Sequence, residues 1–206
     1  SFPTRRSSDL LLDAIAKPAQ LLGVPIEEGL TSRILNDIQN RPGNLPLLQF
    51  ALTQLWAKMS NAQLTHQAYE EIGGVEKALA SYAGNVYSQL NKADRQRAQR
   101  VFIQLVCPGD GTEDTRRLAT LTEVGENNWD LVTRLADARL MVTGHDETTG
   151  EETIEIVHET LIREWETLRG WMEANREFRT WQERLKARMR EWQATGKDDR
   201  DRKSVV

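Results

Sequence analysis

One cysteine among 206 residues has nothing to pair with, which excludes a disulfide framework. That residue, Cys107, closes the apolar run Phe102-Ile103-Gln104-Leu105-Val106-Cys107, where plain packing is the expected role. The three histidines, His66, His145 and His158, are far apart in sequence. No Cys/His cluster has metal-ligand spacing. A Gly-x4-Gly-Lys-Ser/Thr loop, the usual cradle for a nucleoside triphosphate, is also missing. These gaps predict no catalytic residue and no metal ligand within the chain. An excess of positive charge is missing too: 27 Lys and Arg stand against 31 Asp and Glu, a net of −4. That balance disfavours general binding to a phosphate backbone, which depends on neutralising phosphates. No apolar stretch is long enough to span a bilayer, and no secretion signal is visible. The expectation is a cytoplasmic chain with no membrane anchor. The plentiful carboxylates read as solvated helix faces.

Both ends look foreign. Codons such as GAT CGG AAG AGC GTC GTG encode residues 201–206, and the complementary strand reads through Thr4-Arg5-Arg6-Ser7-Ser8-Asp9. Both tails resemble a short-read sequencing adapter translated in two directions. Residues 1–10 and 201–206 are therefore set aside from the fold reading, leaving 11–200. On that reading neither end is natural, and the chain is expected to belong to a longer protein. The tails hold four of the 27 basic and two of the 31 acidic residues, so the remainder is more acidic still. Its length suits one large domain or two small ones.

What is present is mostly helical. Residues 11–22 form a short helix pattern broken by Gly23-Val24-Pro25. In 27–38, Leu30, Ile34 and Ile38 share one face at four-residue spacing. A turn is expected at Asn40-Arg41-Pro42-Gly43-Asn44, followed by a helix opening at Leu45-Pro46. Proline is tolerated in a first helical turn because its missing N–H has no partner there. That helix is apolar nearly all round, which predicts a central position. Thr65 reads as an N-cap, and Gly73-Gly74 as punctuation and domain boundary. Two amphipathic helices follow, over 75–90 and 93–106.

The pattern then changes. A short extended piece at 114–121 and a brief helical one at 122–126 precede a helix at 129–139. Two β-prone runs, 140–144 and 153–157, flank a polar turn. This order is that of a winged helix. A long helix closes the chain, with Trp165, Leu168, Met172, Phe178, Trp181, Leu185, Met189 and Trp192 in a stripe with one gap. For these tryptophans, core packing is the favoured reading and partner docking the other. The fold class is mainly α: a helical bundle over 11–74, a winged-helix domain with a small β-wing over 75–158, and a long helix over 159–200.

A winged helix invites a DNA-binding reading. Charge argues against it. Asp130 and Asp137 balance Arg134 and Arg139 on the candidate recognition helix. Residues 140–157 carry five carboxylates and no Lys or Arg. A transcription regulator with a helical effector domain remains the alternative.

His158 is the candidate binding residue. It falls where the strand pattern ends and the helix pattern begins. Such a junction offers unpaired backbone N–H groups and the positive end of a helix dipole. A histidine there can donate to a phosphate, and its charge is tunable near neutral pH. A partly buried histidine with a local hydrogen bond explains the same position.

Several blocks together resemble the STAND class of signalling NTPases, most closely its bacterial novel STAND NTPase 1 family. They are Leu12-Asp13-Ala14-Ile15-Ala16-Lys17-Pro18-Ala19, Pro42-Gly43-Asn44-Leu45-Pro46-Leu47-Leu48-Gln49-Phe50-Ala51-Leu52, Leu64-Thr65-His66-Gln67-Ala68-Tyr69-Glu70, and Val157-His158-Glu159-Thr160-Leu161-Ile162-Arg163-Glu164-Trp165. The resemblance covers nearly all of 11–200. It implies a helical lid domain of an AAA+/STAND ATPase, then a winged helix, acting as a nucleotide-dependent switch. Pro46 would pack near adenine, although Asn44 stands where the family has Gly. His158 would contact the β-phosphate of ADP, with Glu159 where Asp is commoner. The implied cofactor is ATP or ADP, with Mg²⁺ held by an upstream domain. The implied partners are an upstream P-loop ATPase domain and a downstream sensor, often WD-repeat, both in cis. Homo-oligomerisation on activation is also implied.

Overall fold

The computed structural model describes residues 5–39, 45–109 and 111–202. The turn expected at 40–44, with Asn44, lies outside them. Backbone contacts divide the chain into two compact units between Leu90 and Asn91.

Among the described residues, the first unit is built of helices joined by loops that carry two isolated β-bridges: α1 (Arg5–Leu21), α2 (Leu30–Gln39), α3 (Leu45–Ala57), α4 (His66–Glu71) and α5 (Gly74–Gln89). The four-residue spacing in α2 buries Leu30, Ile34 and Ile38 together. α1 packs on α2 through Ile15 and Ala19. α3 packs chiefly on α5. Its apolar composition predicted a central helix, but only Leu47, Leu48, Ala51 and Leu55 are buried. Leu45 and Pro46 stay exposed, as do Gln49 and Thr53 one turn apart, so α3 has a solvent face.

Thr65 caps α4 by accepting from the Ala68 N–H at 3.1 Å, which satisfies a helix-start donor. Beside it, His66 is fully engaged. Its backbone N–H donates to Glu27, and its ring lies 3.0 Å from the Glu28 carbonyl and 3.3 Å from Arg33. The buried Tyr69 hydroxyl donates to Asp37 at 2.7 Å and accepts from the Val75 N–H at 3.2 Å. Burial and that bond to a carboxylate push the phenol well above its ordinary pKa.

Gly73-Gly74 marks the start of α5 and not a unit boundary. Gly73 has φ +82°, and a Cβ there would lie 2.6 Å from Lys77 Cβ. The chain must turn sharply at this point, and α5 then folds back onto α2 and α3. The division expected at Gly73-Gly74 therefore falls one helix later.

The second unit opens with α6 (Lys92–Gln104), capped by Asn91. Two short strands, β1 (Val106–Cys107) and β2 (Thr115–Arg116), pair antiparallel. Cys107 is half-buried in that ribbon. The extended piece expected at 114–121 is thus divided between two sheets, β2 in the first and β3 (Ala119–Thr120) in the second. α7 (Leu121–Val124) follows with a capping box made by Thr120 and Glu123. A 3-10 turn (Glu126–Asn128) leads into α8 (Trp129–Asp137).

A hairpin comes next, β4 (Met141–His145) against β5 (Glu152–Ile156), with Thr143 opposite Ile154. β5 is the central strand of a three-stranded sheet, β3-β5-β4. Its Ile154 and Ile156 are fully buried. The polar turn is fastened by Asp146, which accepts from the N–H groups of Thr148 and Thr149. Those bonds hold its carboxyl below the usual range.

The final helix is two. α9 (Thr160–Glu164) ends where Trp165 adopts an extended backbone, and α10 (Glu166–Arg202) starts afresh. The hydrophobic stripe also divides. Trp165, Leu168 and Met172 are buried, Trp165 meeting Phe102 edge-to-face at 5.0 Å. Phe178, Trp181, Leu185, Met189 and Trp192 are between 41% and 73% exposed. Continuing the buried face past Met172 would need apolar residues near 176, 179 and 183, and the chain has Arg176, Arg179 and Glu183 there. Core packing therefore explains the first three positions and not the remaining five. The protein is mainly α with a small β region.

Candidate functional site

β5 delivers His158 to the surface of the second unit, and α9 begins two residues later. The junction is already furnished from within. His158 Nδ1 accepts from the Thr160 N–H at 3.2 Å. The His158 carbonyl takes the Leu161 N–H at 3.0 Å, and the Glu159 carbonyl takes that of Ile162 at 2.9 Å. The expected row of unpaired N–H groups is thus largely occupied, because the histidine caps the helix itself. Glu159 stands at the N-cap but contributes no side-chain cap. Its carboxylate lies 3.7 Å from Arg116 Nε instead.

With Nδ1 acting as acceptor, the imidazole proton sits on Nε2, so the neutral ring presents one N–H donor. Two influences keep the ring neutral. Burial lowers its pKa first and the positive charge of Arg116 next; Glu159 opposes them, and Arg163 adds a lesser lowering effect.

Both arginines are held in place. Arg116, from β2, donates to the Ile156 carbonyl at 3.2 Å and pairs with Glu155 at 3.5 Å. Arg163, from α9, donates to the Thr160 hydroxyl at 3.3 Å. Its Nε is buried with no hydrogen-bond partner among the described residues. The site is therefore a neutral donor near two guanidiniums, each with a buried Nε that has no hydrogen-bond partner among the described residues. The group that fits this is an anion with several acceptor oxygens. Arg163 lies inside the motif block that carries His158. Arg116 is distant in sequence, and only the β1–β2 ribbon brings it alongside.

Pro46 occupies the first turn of α3 in the first unit, exposed beside Leu45, which is 60% exposed. Together they offer a small apolar surface at a helix start. Pro46 and His158 belong to different units, and each is placed only within its own.

Two hollows are present, the first bordering the site through Arg163. One, of about 690 Å³, is lined by Arg163, Arg169 and Arg176 with Asp114, Glu166 and Glu173. Its charges largely satisfy one another, Arg176 holding Asp114 through two contacts of 3.1 and 3.3 Å. The other, of about 720 Å³, lies around Glu27, Lys58 and Glu71. Neither includes Pro46 or His158.

On α8, the one basic side chain, Arg134, is committed internally. Arg97 of α6 donates to both Asp94 and Asp130, and Arg134 donates to Asp94 at 2.8 Å. These bonds hold both carboxyls below their usual range.

Among the described residues, no group of three or more His, Cys, Asp or Glu is arranged to hold a metal ion. None of their helices is long and apolar enough to cross a membrane. No curated protein and no solved structure matches the chain. One family model does, described as Novel STAND NTPase 1, over residues 4–200. The match takes in residues 4–10, part of the tail set aside on the DNA-level reading, and α1 likewise begins at Arg5.

Proposed function

Because the chain belongs to the novel STAND NTPase 1 family, we propose that it forms the switching part of a signal-transducing ATPase. The observation that carries the reading is His158: a neutral Nε2–H donor, oriented by its own bond to Thr160, with Arg116 and Arg163 nearby. In this reading the second unit acts as a winged helix, with the β4–β5 hairpin as its wing. The first unit acts as the helical lid.

The fitting cofactor is a nucleoside diphosphate. Its phosphate oxygens would accept from the His158 Nε2–H, beside the positive charges of Arg116 and Arg163, and Pro46, in the first unit, is proposed separately as an adenine-side contact. The bound nucleotide supplies contacts that exist in only one packing of the switch. A ligand shifts an equilibrium only by such differential contacts. The P-loop, with its Mg²⁺, belongs to an upstream ATPase domain in cis, and α10 leads to a downstream sensor region. Assembly into homo-oligomers follows activation in this scheme.

His158→Ala, made in a chain that includes the P-loop region, raises the ADP off-rate by about tenfold, the worth of one charge-assisted hydrogen bond. Stopped-flow release of a fluorescent ADP analogue reads this directly, and an unchanged off-rate rules out the sensor role. The second reading, a DNA-binding regulator, is opposed by the internal pairing of Arg97 and Arg134. Tight, sequence-selective gel shifts at low salt would establish it instead.

A further inference from the structure

The first turns of α10 are held by apolar packing, with Leu168 and Met172 buried and α6 alongside. One turn further on, an ion pair takes over. Arg176 donates to both oxygens of Asp114, at 3.1 and 3.3 Å. A guanidinium that grips a carboxylate through two bonds fixes direction as well as distance. Asp114 is itself held still: its side chain is only 12% exposed, and it accepts from the Gly109 N–H at 2.9 Å. The hollow of about 690 Å³ lies beside this contact, with Asp114, Arg169 and Arg176 in its lining. Close packing is interrupted on this side of α10, and the ion pair bridges the interruption.

Two residues along the chain, on β2, Arg116 makes a second grip. It donates to the Ile156 carbonyl at 3.2 Å and lies 3.5 Å from Glu155 and 3.7 Å from Glu159. These groups stand on either side of His158, at the end of β5 and the start of α9. Residues 114–116 therefore hold both the junction that carries His158 and the helix beyond the Trp165 break. Along the main chain, the path from Glu159 to Arg176 passes through that break, where the backbone leaves helical geometry. Through 114–116 the path is short and extended. It is pinned to β1 by the pairing of Val106 with Arg116 and of Cys107 with Thr115. Displacement travels through contiguous rigid elements and ion pairs, and this route has a charged grip at each end.

We propose that residues 114–116 form a strap that makes α10 move with the His158 junction, with Arg116 and Asp114 as the positioning residues at its two ends. This coupling is independent of the group that His158 binds.

Double electron–electron resonance on the whole chain tests it, with Cys107→Ser as the background. The first pair of spin labels sits on Ala93→Cys and Ala187→Cys, exposed positions in the first turn of α6 and far along α10. The second pair, on Ala93→Cys and Glu147→Cys, leaves α10 out and reports on folding. The native first pair should give a narrow distance distribution. Asp114→Asn keeps an acceptor for the Gly109 N–H but loses the charge, and should about double that width. Arg116→Met should broaden it similarly, although Arg116 makes its grip on β5 and α9; a merely local tie at Arg176 would not give that result. Glu173→Gln, which removes the exposed second partner of Arg176, should change little. The second pair should stay narrow throughout. If Arg116→Met broadens the second pair as well, it has damaged the fold. Glu155→Gln combined with Glu159→Gln then loosens the same end without touching the core, and should broaden the first pair alone. A first pair left narrow by Asp114→Asn, by Arg116→Met or by the double Gln variant overturns the strap. So does a first pair that is already broad in the native chain.

Discussion

At the scale of single residues, His158 joins structure to titration. Its ring accepts a hydrogen bond at the start of α9 and lies near two guanidiniums. Protonation would break that bond and place a third positive charge there. Its folded pKa is therefore lower than the unfolded value, near 6.5. A group with a depressed pKa supports the fold above the unfolded value and withdraws that support as pH falls through the folded one. Thermal unfolding of the native chain should accordingly lose stability below about pH 6.5, and His158→Gln, which keeps an acceptor without a titrating ring, should lose less over the same range. Parallel pH profiles for the two proteins would refute this assignment. The histidine, the preceding apolar residue and the following acid were legible in the sequence as a local pattern. Arg116 was not, because only strand pairing brings it there. Nor was the direction of the ring, since the same junction admits a histidine that donates to an anion or one that caps a helix. This one caps with Nδ1, which leaves Nε2 as its N–H donor.

At the scale of elements, the ends of helices were easier to read than their surroundings. Thr65 was legible as a cap; Thr120 and Asn91, which the sequence pattern did not single out, likewise accept from a backbone N–H within their own turn. The exposure of α3 and the break at Trp165 depend on tertiary neighbours, and periodicity alone overestimated both helices. The Gly73 turn offers a test at this scale. Its left-handed backbone costs a non-glycine residue about 1–2 kcal/mol. The approach to Lys77 Cβ adds strain, because the crowding atom is close to the backbone of α5. Gly150 has a similar φ of +72° and open space around it. Gly73→Ala should thus lower the urea midpoint clearly more than Gly150→Ala. Equal effects would mean that the α5 turn relaxes around the new methyl group.

At the scale of the whole molecule, each unit has its own closed core. In the first it gathers around Leu30, Leu55 and Tyr69, and in the second around Phe102, Leu131, Ile154 and Leu161. A unit that buries its own apolar surface can fold alone. Residues 91–202, expressed separately, should unfold cooperatively with native-like near-UV circular dichroism. A non-cooperative melt would show that the division after Leu90 is not a folding boundary. Sequence placed a boundary at Gly73-Gly74 because the pair looks like a linker; the glycines serve a tight reversal, and backbone contacts divide the chain after Leu90, where no such marker stands. The mainly helical class and the late β hairpin were legible from periodicity and its change after Cys107. The three-strand sheet order was not, since β3 is only two residues long.

The length of α10 has a mechanical consequence. Past Met172 the helix runs on to Arg202, about 45 Å at 1.5 Å per residue. A rotation of about 10° at its anchored turn would carry the far end by roughly 8 Å over that length. The anchored turn follows α9, whose first N–H is held by His158. An adjustment of about one bond length beside the imidazole would thus reach whatever follows Arg202 as a displacement several times larger, making α10 a lever arm with its fulcrum at the Trp165 break.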